Sequence, residues 1–112
     1  MDKITKYQDL IRCFLTEMAE SKPINIQNIE NKVIIDIVNN HYQLLRQGWD
    51  GPRYVMGICF HFDIKNEKIW IQLNATDILV ADYFTERGVP KSDIVLGFQP
   101  EYARPYTGFA TA

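Results

Sequence analysis

Residues 33–74, VIIDIVNNHYQLLRQGWDGPRYVMGICFHFDIKNEKIWIQLN, decide the fold. Val33, Ile34, Ile35, Ile37 and Val38 form a β-branched run suited to a strand, and Asn39-Asn40 is a turn signal. His41 to Trp49 reads as a second strand that ends at Asp50-Gly51-Pro52, a strong turn. Tyr54 to Asp63 is a third. Simple alternation puts Tyr54, Met56, Ile58, Phe60 and Phe62 on one of its faces and Val55, Gly57, Cys59, His61 and Asp63 on the other. After a short turn at Lys65-Asn66-Glu67, Lys68 to Asn74 makes a fourth strand, with Ile69, Ile71 and Leu73 alternating against Lys68, Trp70 and Gln72. Connections this short force neighbouring strands to run antiparallel, so the stretch is a meander of about four strands.

Before this meander, residues 2–21 carry a different period. Ile4, Tyr7, Leu10, Ile11, Phe14, Leu15 and Met18 recur at three- and four-residue steps, which places them on one helix face. Asp2 suits the N-cap, and Pro23 stops the helix because it lacks an amide proton. After the meander, Thr76 or Asp77 caps a second helix that runs to about Arg87, with Gly88 and Pro90 as its stop. Ile94 to Phe98 is a short apolar run, a further strand or extended segment. The tail from Pro100 to Ala112 holds Tyr102, Arg104, Pro105, Tyr106 and Phe109, too many aromatics for idle solvated chain. The expectation is one α+β domain over residues 1–112. It comprises an N-terminal helix, an antiparallel meander sheet of four to five strands, a second helix packed on the sheet and an aromatic C-terminal tail.

Composition agrees with one folded domain. The chain has 112 residues, 46% hydrophobic and 23% charged, with a formal net charge of -2. That is too apolar and too weakly charged for disorder, and large enough for one core. A DNA-binding domain usually shows a basic face, and the acidic balance shows none. No segment has the continuous apolar core of a secretory signal or the ~18–20 residues of a membrane span. The expected location is the cytoplasm. Cys13 and Cys59 lie far apart in different elements, without a C-x-x-C pair, and read as two buried free thiols.

The residues assemble no catalytic constellation. Ser21 and Ser92 sit where caps and helix ends explain them, and no phosphate-binding glycine loop occurs. His61 shares a strand face with Cys59 and Asp63, so a His–Asp or Cys–His contact is geometrically open, yet a partly covered polar sheet face is the simpler reading. No catalytic, cofactor or metal residue is assigned, and no cofactor is expected. Trp49 and Arg53, at the Trp49-Asp50-Gly51-Pro52-Arg53 hairpin tip, and Arg104 and Tyr106 in the tail are candidate partner-binding residues, together with Trp70, because aromatic and arginine side chains concentrate at hot spots. An exposed edge strand and the aromatic tail also make a homodimer a candidate assembly.

Several segments in order carry a family likeness. They are His41-Tyr42-Gln43-Leu44 leading into Gly48-Trp49-Asp50-Gly51, Asp63-Ile64-Lys65 with Lys68-Ile69-Trp70-Ile71-Gln72, Gly88-Val89-Pro90-Lys91 with Asp93 to Phe98, and Arg104-Pro105-Tyr106-Thr107-Gly108-Phe109-Ala110, with Met1-Asp2-Lys3 and Tyr7 at the start. In this order and spacing the chain resembles the XisI family, the fdxN-element excision controlling factors of cyanobacteria, over essentially its whole length. Asp77 stands where the family resemblance leads one to expect glutamate.

The resemblance implies an accessory, non-enzymatic role in programmed DNA rearrangement, in which a separate recombinase excises the element and the XisI protein with a nuclease-like partner, XisH, controls excision. It implies a XisH-like protein partner, with DNA touched only indirectly or weakly and no membrane. Two other roles follow as alternatives: a direct DNA-binding cofactor of the recombination complex, and the antidote half of a two-protein module. Direct DNA binding requires Arg46, Arg53, Lys91 and Arg104 to gather on one face.

Overall fold

The computed structural model describes residues 2–21 and 28–112; Met1 and the expected stop at Pro23 lie outside the described residues. Helix α1 spans Lys3–Glu20. Asp2 caps it as the sequence predicts, its Oδ1 accepting the Thr5 amide at 2.8 Å. Four strands follow as β1 (Ile29–Asp36), β2 (His41–Asp50), β3 (Arg53–Lys65) and β4 (Lys68–Asn74). Helix α2 (Val80–Glu86) and β5 (Ile94–Leu96) come next, and 3-10 turns occupy Lys91–Asp93 and Glu101–Tyr106. One five-stranded sheet results, ordered β1-β2-β3-β4-β5.

The α+β expectation holds, with local corrections. The first four strands pair antiparallel, but β5 pairs parallel to β4, with Ile69 opposite Ile94. The intervening α2 supplies the crossover that a parallel neighbour needs. β1 stops at Asp36, so Ile37 and Val38 are turn residues, not strand. The Asp36 carboxylate accepts the Val38 and Asn39 amides at 3.1 and 3.0 Å, folding the chain over before the β-branched run is finished. Asn40 completes that turn with φ of 59°.

Helix α2 starts later than Thr76 or Asp77. The Thr76 amide and hydroxyl both donate to Asn74 Oδ1, and the Ile78 amide donates to Thr76 Oγ1. These local bonds compete with helical pairing and hold residues 75–79 as a turn. The other end is as the sequence predicts. Gly88 takes a φ of 94°, its amide bonds Thr85 O, and the Val89 amide reaches Phe84 O, a Schellman closure before Pro90.

Both helices lie on one face of the sheet. Tyr7, Ile11, Phe14 and Leu15 of α1 and Val80 and Phe84 of α2 join Tyr42, Leu44, Phe60, Phe62, Ile69, Ile71 and Ile94 in a single core. Phe14 stands at its centre, edge-on to Phe60 at 5.1 Å, Phe62 at 5.7 Å and Tyr83 at 4.9 Å, a favoured arrangement for aromatic rings. The stripe that buries these residues turns Cys13 outward. It is an exposed free thiol and Cys59 is half-buried, so neither is the fully buried thiol the sequence suggested.

Behind this core, the Tyr7 hydroxyl donates a hydrogen bond to Asp93 Oδ2, and Lys3 Nζ lies 2.9 Å from the same carboxylate. These contacts tie the start of α1 to the segment before β5. Burial works to raise the Asp93 carboxyl, but the bonds from Tyr7 and Lys3 and the Lys3 charge outweigh it and hold it below its ordinary value. Tyr7 is pushed well above the ordinary phenol value, by burial first and then by its bond to the Asp93 carboxylate.

Candidate functional site: the open face of the sheet

Among the described residues neither α1 nor α2 covers the second face of the sheet, and only the tail segment around Arg104 reaches over it, at Trp70. Its composition is set by two irregularities in the ladder. Between β2 and β3 the pairing steps from Leu44 opposite Phe60 to Leu45 opposite Ile58, which leaves Cys59 as an extra residue. A one-residue bulge moves every side chain beyond it to the other face. Tyr54, Met56 and Ile58 therefore do not share a face with Phe60 and Phe62, as simple alternation predicts. They look outward with Leu45, Gln47 and Trp49, while Cys59 packs against the core and leaves the company of His61 and Asp63. Between β3 and β4 the step from His61–Leu73 to Phe62–Ile71 leaves Gln72 as the second extra residue.

The open face thus reads in rows across the sheet. At one end Asp36, His41, Asp63 and Trp70 stand side by side, and the next row holds Ile34, Gln43, His61 and Leu73. Further along come Lys32, Leu45 and Ile58, then Glu30, Gln47 and Met56, and last Trp49 and Tyr54. Six large apolar side chains lie exposed on this face: Ile34, Trp49, Tyr54, Met56 (60%), Ile58 and Leu73. Trp49 and Tyr54 stack with centroids 5.0 Å apart. Polar groups tie the strip together, with Gln47 Nε2 donating to the Tyr54 hydroxyl at 2.7 Å and Lys32 Nζ to Gln47 Oε1 at 2.8 Å. An apolar strip of this kind with a polar border is the usual form of a protein-binding surface.

At the other end the face is polar and ordered. His41 Nδ1 lies 2.7 Å from Asp63 Oδ1, and His61 Nε2 lies 2.8 Å from the same oxygen. Gln43 Nε2 is 2.9 Å from His61 Nδ1, and Gln72 Nε2 donates to Asp63 Oδ2 at 3.2 Å. Burial pushes the Asp63 carboxyl up, but the hydrogen bonds from His41 and His61, the nearby His61 charge and Gln72 prevail, so Asp63 titrates below its ordinary value. Strand period alone places His61 with Asp63 but adds Cys59 to them, which the bulge removes. The third member, His41, comes from the neighbouring strand, a cross-strand register that spacing along one chain does not reveal.

Of the candidate partner-binding residues, Trp49 and Arg53 sit at the exposed β2–β3 tip, and Trp70 and Arg104 lie together at the far end, roughly 30 Å away at the usual rise of a strand. Trp70 is not a surface anchor. It is only 7% exposed, with Arg104 Cζ 5.3 Å and Lys65 Nζ 4.1 Å from its ring centroid, and its indole N–H has no partner among the described residues. The tail stitches itself down here. Arg104 Nε donates to Gln99 O, and the Ala110 amide bonds Ile94 O at the sheet edge. Tyr106, 89% exposed, stays free of this arrangement. The four basic residues required for direct DNA binding do not gather. Arg46 lies on the helix-bearing face against Asn31, and Arg104 lies over Trp70 on the open one. Among the described residues no helix is long and apolar enough to cross a membrane.

Known proteins repeat this architecture. A XisI-like protein from Anabaena variabilis, known from its crystal structure, superposes with a TM-score of 0.90 at 41% identity, over 97% of this chain and 99% of its own. The crystal structure of the fdxN element excision controlling factor XisI from the same organism superposes with a TM-score of 0.84 at 33% identity, over 99% of this chain and 100% of its own. No match was found among the curated proteins. The family model for the XisI protein matches residues 1–111, and the chain belongs to the XisI family.

Proposed function

We propose that this chain is a non-enzymatic regulatory protein of the excision-controlling type, working in the cytoplasm by binding a XisH-like, nuclease-type protein through the open face of its sheet. The observation that carries this reading is the apolar strip from Ile34 to Trp49 and Tyr54, exposed on the sheet face opposite α1 and α2. A folded monomer gains nothing by leaving this strip wet. The acidic balance of the chain suits a partner with a basic nucleic-acid-binding surface, since opposite charge speeds encounter and selects partners. DNA is then reached through that partner.

The test is co-expression with a XisH-like protein, followed by tagged pull-down and light scattering on a sizing column. A stable stoichiometric complex is expected from the native chain, and loss of that complex from a Trp49→Ala/Met56→Ala double variant. Absence of a complex at micromolar concentrations overturns the reading. Light scattering of the native chain alone, compared with the Trp49→Ala/Met56→Ala variant, shows whether the same face instead pairs two copies.

A further inference from the structure

We propose that His41, His61 and Asp63 form a binding site for one divalent transition-metal ion of the zinc class. This inference stands apart from the partner-binding reading. The three side chains are the group of metal-ligating residues among the described residues whose donor atoms converge, all lying within 4.8 Å of one another. Both histidine nitrogens are aimed at one carboxylate oxygen, from two adjacent strands whose register sets His41 directly opposite Asp63. A tetrahedral ion with bonds near 2.0–2.2 Å holds its ligand atoms ~3.3 Å apart. The present separations of 2.7 and 2.8 Å widen to that by a small swing of each ring.

The outer contacts have the form such a site requires. Metal-bound histidine is oriented through its other ring nitrogen, and a bound carboxylate through its second oxygen. Here Gln43 meets His61 at Nδ1, the nitrogen turned away from Asp63, and Gln72 holds Asp63 by Oδ2, the oxygen turned away from both histidines. With Nε2 on a metal, His61 carries its proton on Nδ1 and donates it to the Gln43 side-chain oxygen, which requires only that the amide face the ring by its oxygen. Two imidazoles and one carboxylate favour zinc, cobalt or nickel over magnesium or calcium, which prefer all-oxygen shells.

The burial is graded. The Asp63 side chain is 13% exposed and that of His41 is 54% exposed, so the ion has one open side for water or for a donor from another molecule. The sheet itself explains why the ligands are preset. Residues 61 and 63 share a face by strand period, and the β3–β4 bulge pushes Gln72 toward them.

The experiment is isothermal titration of the chelator-treated full chain with zinc chloride, paired with visible absorption of the cobalt form. One ion per chain with a micromolar or tighter Kd is expected, along with tetrahedral cobalt bands and a raised thermal midpoint in zinc. His41→Ala and His61→Ala are each expected to lower affinity by at least roughly 100-fold, and Gln43→Ala by roughly 10-fold, as loss of an orienting contact does. Circular dichroism confirms that each variant is folded. Gln43→Ala, which touches no metal, keeps the test decisive if a histidine variant unfolds. A wild-type Kd weaker than 100 µM, or one unchanged in a folded His61→Ala or Gln43→Ala protein, overturns the site.

Discussion

The two faces of this sheet come from the same strands and do opposite things. On the helix-bearing face Phe60 and Phe62 of β3 are buried beneath Phe14 and Phe84. On the open face, a few residues along the same strand, Tyr54, Met56 and Ile58 stand in solvent. The residue types hardly differ. What separates them is one extra residue, Cys59, which reverses the phase of the strand between its two halves. Hydrophobicity by itself therefore does not say which residues stabilise the fold; their phase relative to the bulge does.

The sharpest way to break this comparison is truncation on the covered face. Phe60→Ala removes a ring in edge-on contact with Phe14 and leaves a cavity between two layers. A loss of about 3–5 kcal/mol is expected in urea unfolding, enough to threaten the fold of a domain this size. A cost below about 1 kcal/mol would mean that the core does not depend on this aromatic cluster.

A smaller effect is expected where the core meets its buried polar tie. Asp93→Asn keeps a partner for Tyr7 but removes the charge that Lys3 and Tyr7 both address, at an expected cost of about 1–3 kcal/mol. The pH dependence follows from the direction of the shifts. Asp93 and Asp63 are both held below the ordinary 3.8, so their contribution is fully present above that pH and is lost as pH falls through their lowered folded values. Tyr7 is raised, so its contribution is full below the ordinary 10.0 and fades as pH climbs above it. Unfolding midpoints across pH should show a weaker acid slope in Asp93→Asn and a weaker alkaline slope in Tyr7→Phe. Unchanged slopes in both would remove the tie from the account of stability.

The sequence makes the helices, the meander and the stop at Gly88 legible because each is a local pattern. The stripe of α1 is set by residues three and four apart, and the end of α2 is signalled locally by Gly88, which takes the left-handed C′ position, and by Pro90 after it. The failures share another cause. That β5 runs parallel depends on where α2 returns the chain, and that Ile58 faces away from Phe60 depends on a bulge decided by pairing with β2. Both are relations between segments. The candidate sites divide in the same way. Trp49 and Arg53 are exposed as the hairpin tip implies, whereas Trp70 is covered by a tail whose course no spacing in the sequence announces. His61 with Asp63 is a strand-period pair visible in the chain, and His41 enters through cross-strand register alone.

The smallest stability effect is expected from the counterpart of Phe60→Ala on the other side of the bulge. Met56 is 60% exposed, and its neighbours on the face are Gln47 and Ile58. Truncation there deletes few packed atoms and opens no cavity, so Met56→Ala should shift unfolding free energy by no more than about 0.5 kcal/mol. If the apolar strip is a binding surface, the same substitution weakens the complex with a XisH-like partner, and the two readouts part company. Phe60→Ala loses the complex only because it loses the fold, whereas Met56→Ala loses affinity from a protein that melts as the native chain does. Measuring both variants by urea unfolding and by pull-down separates these causes within one strand. A Met56→Ala protein that unfolds readily would show that the open face is held by the monomer's own packing. A stable variant with undiminished binding would move the partner to another surface.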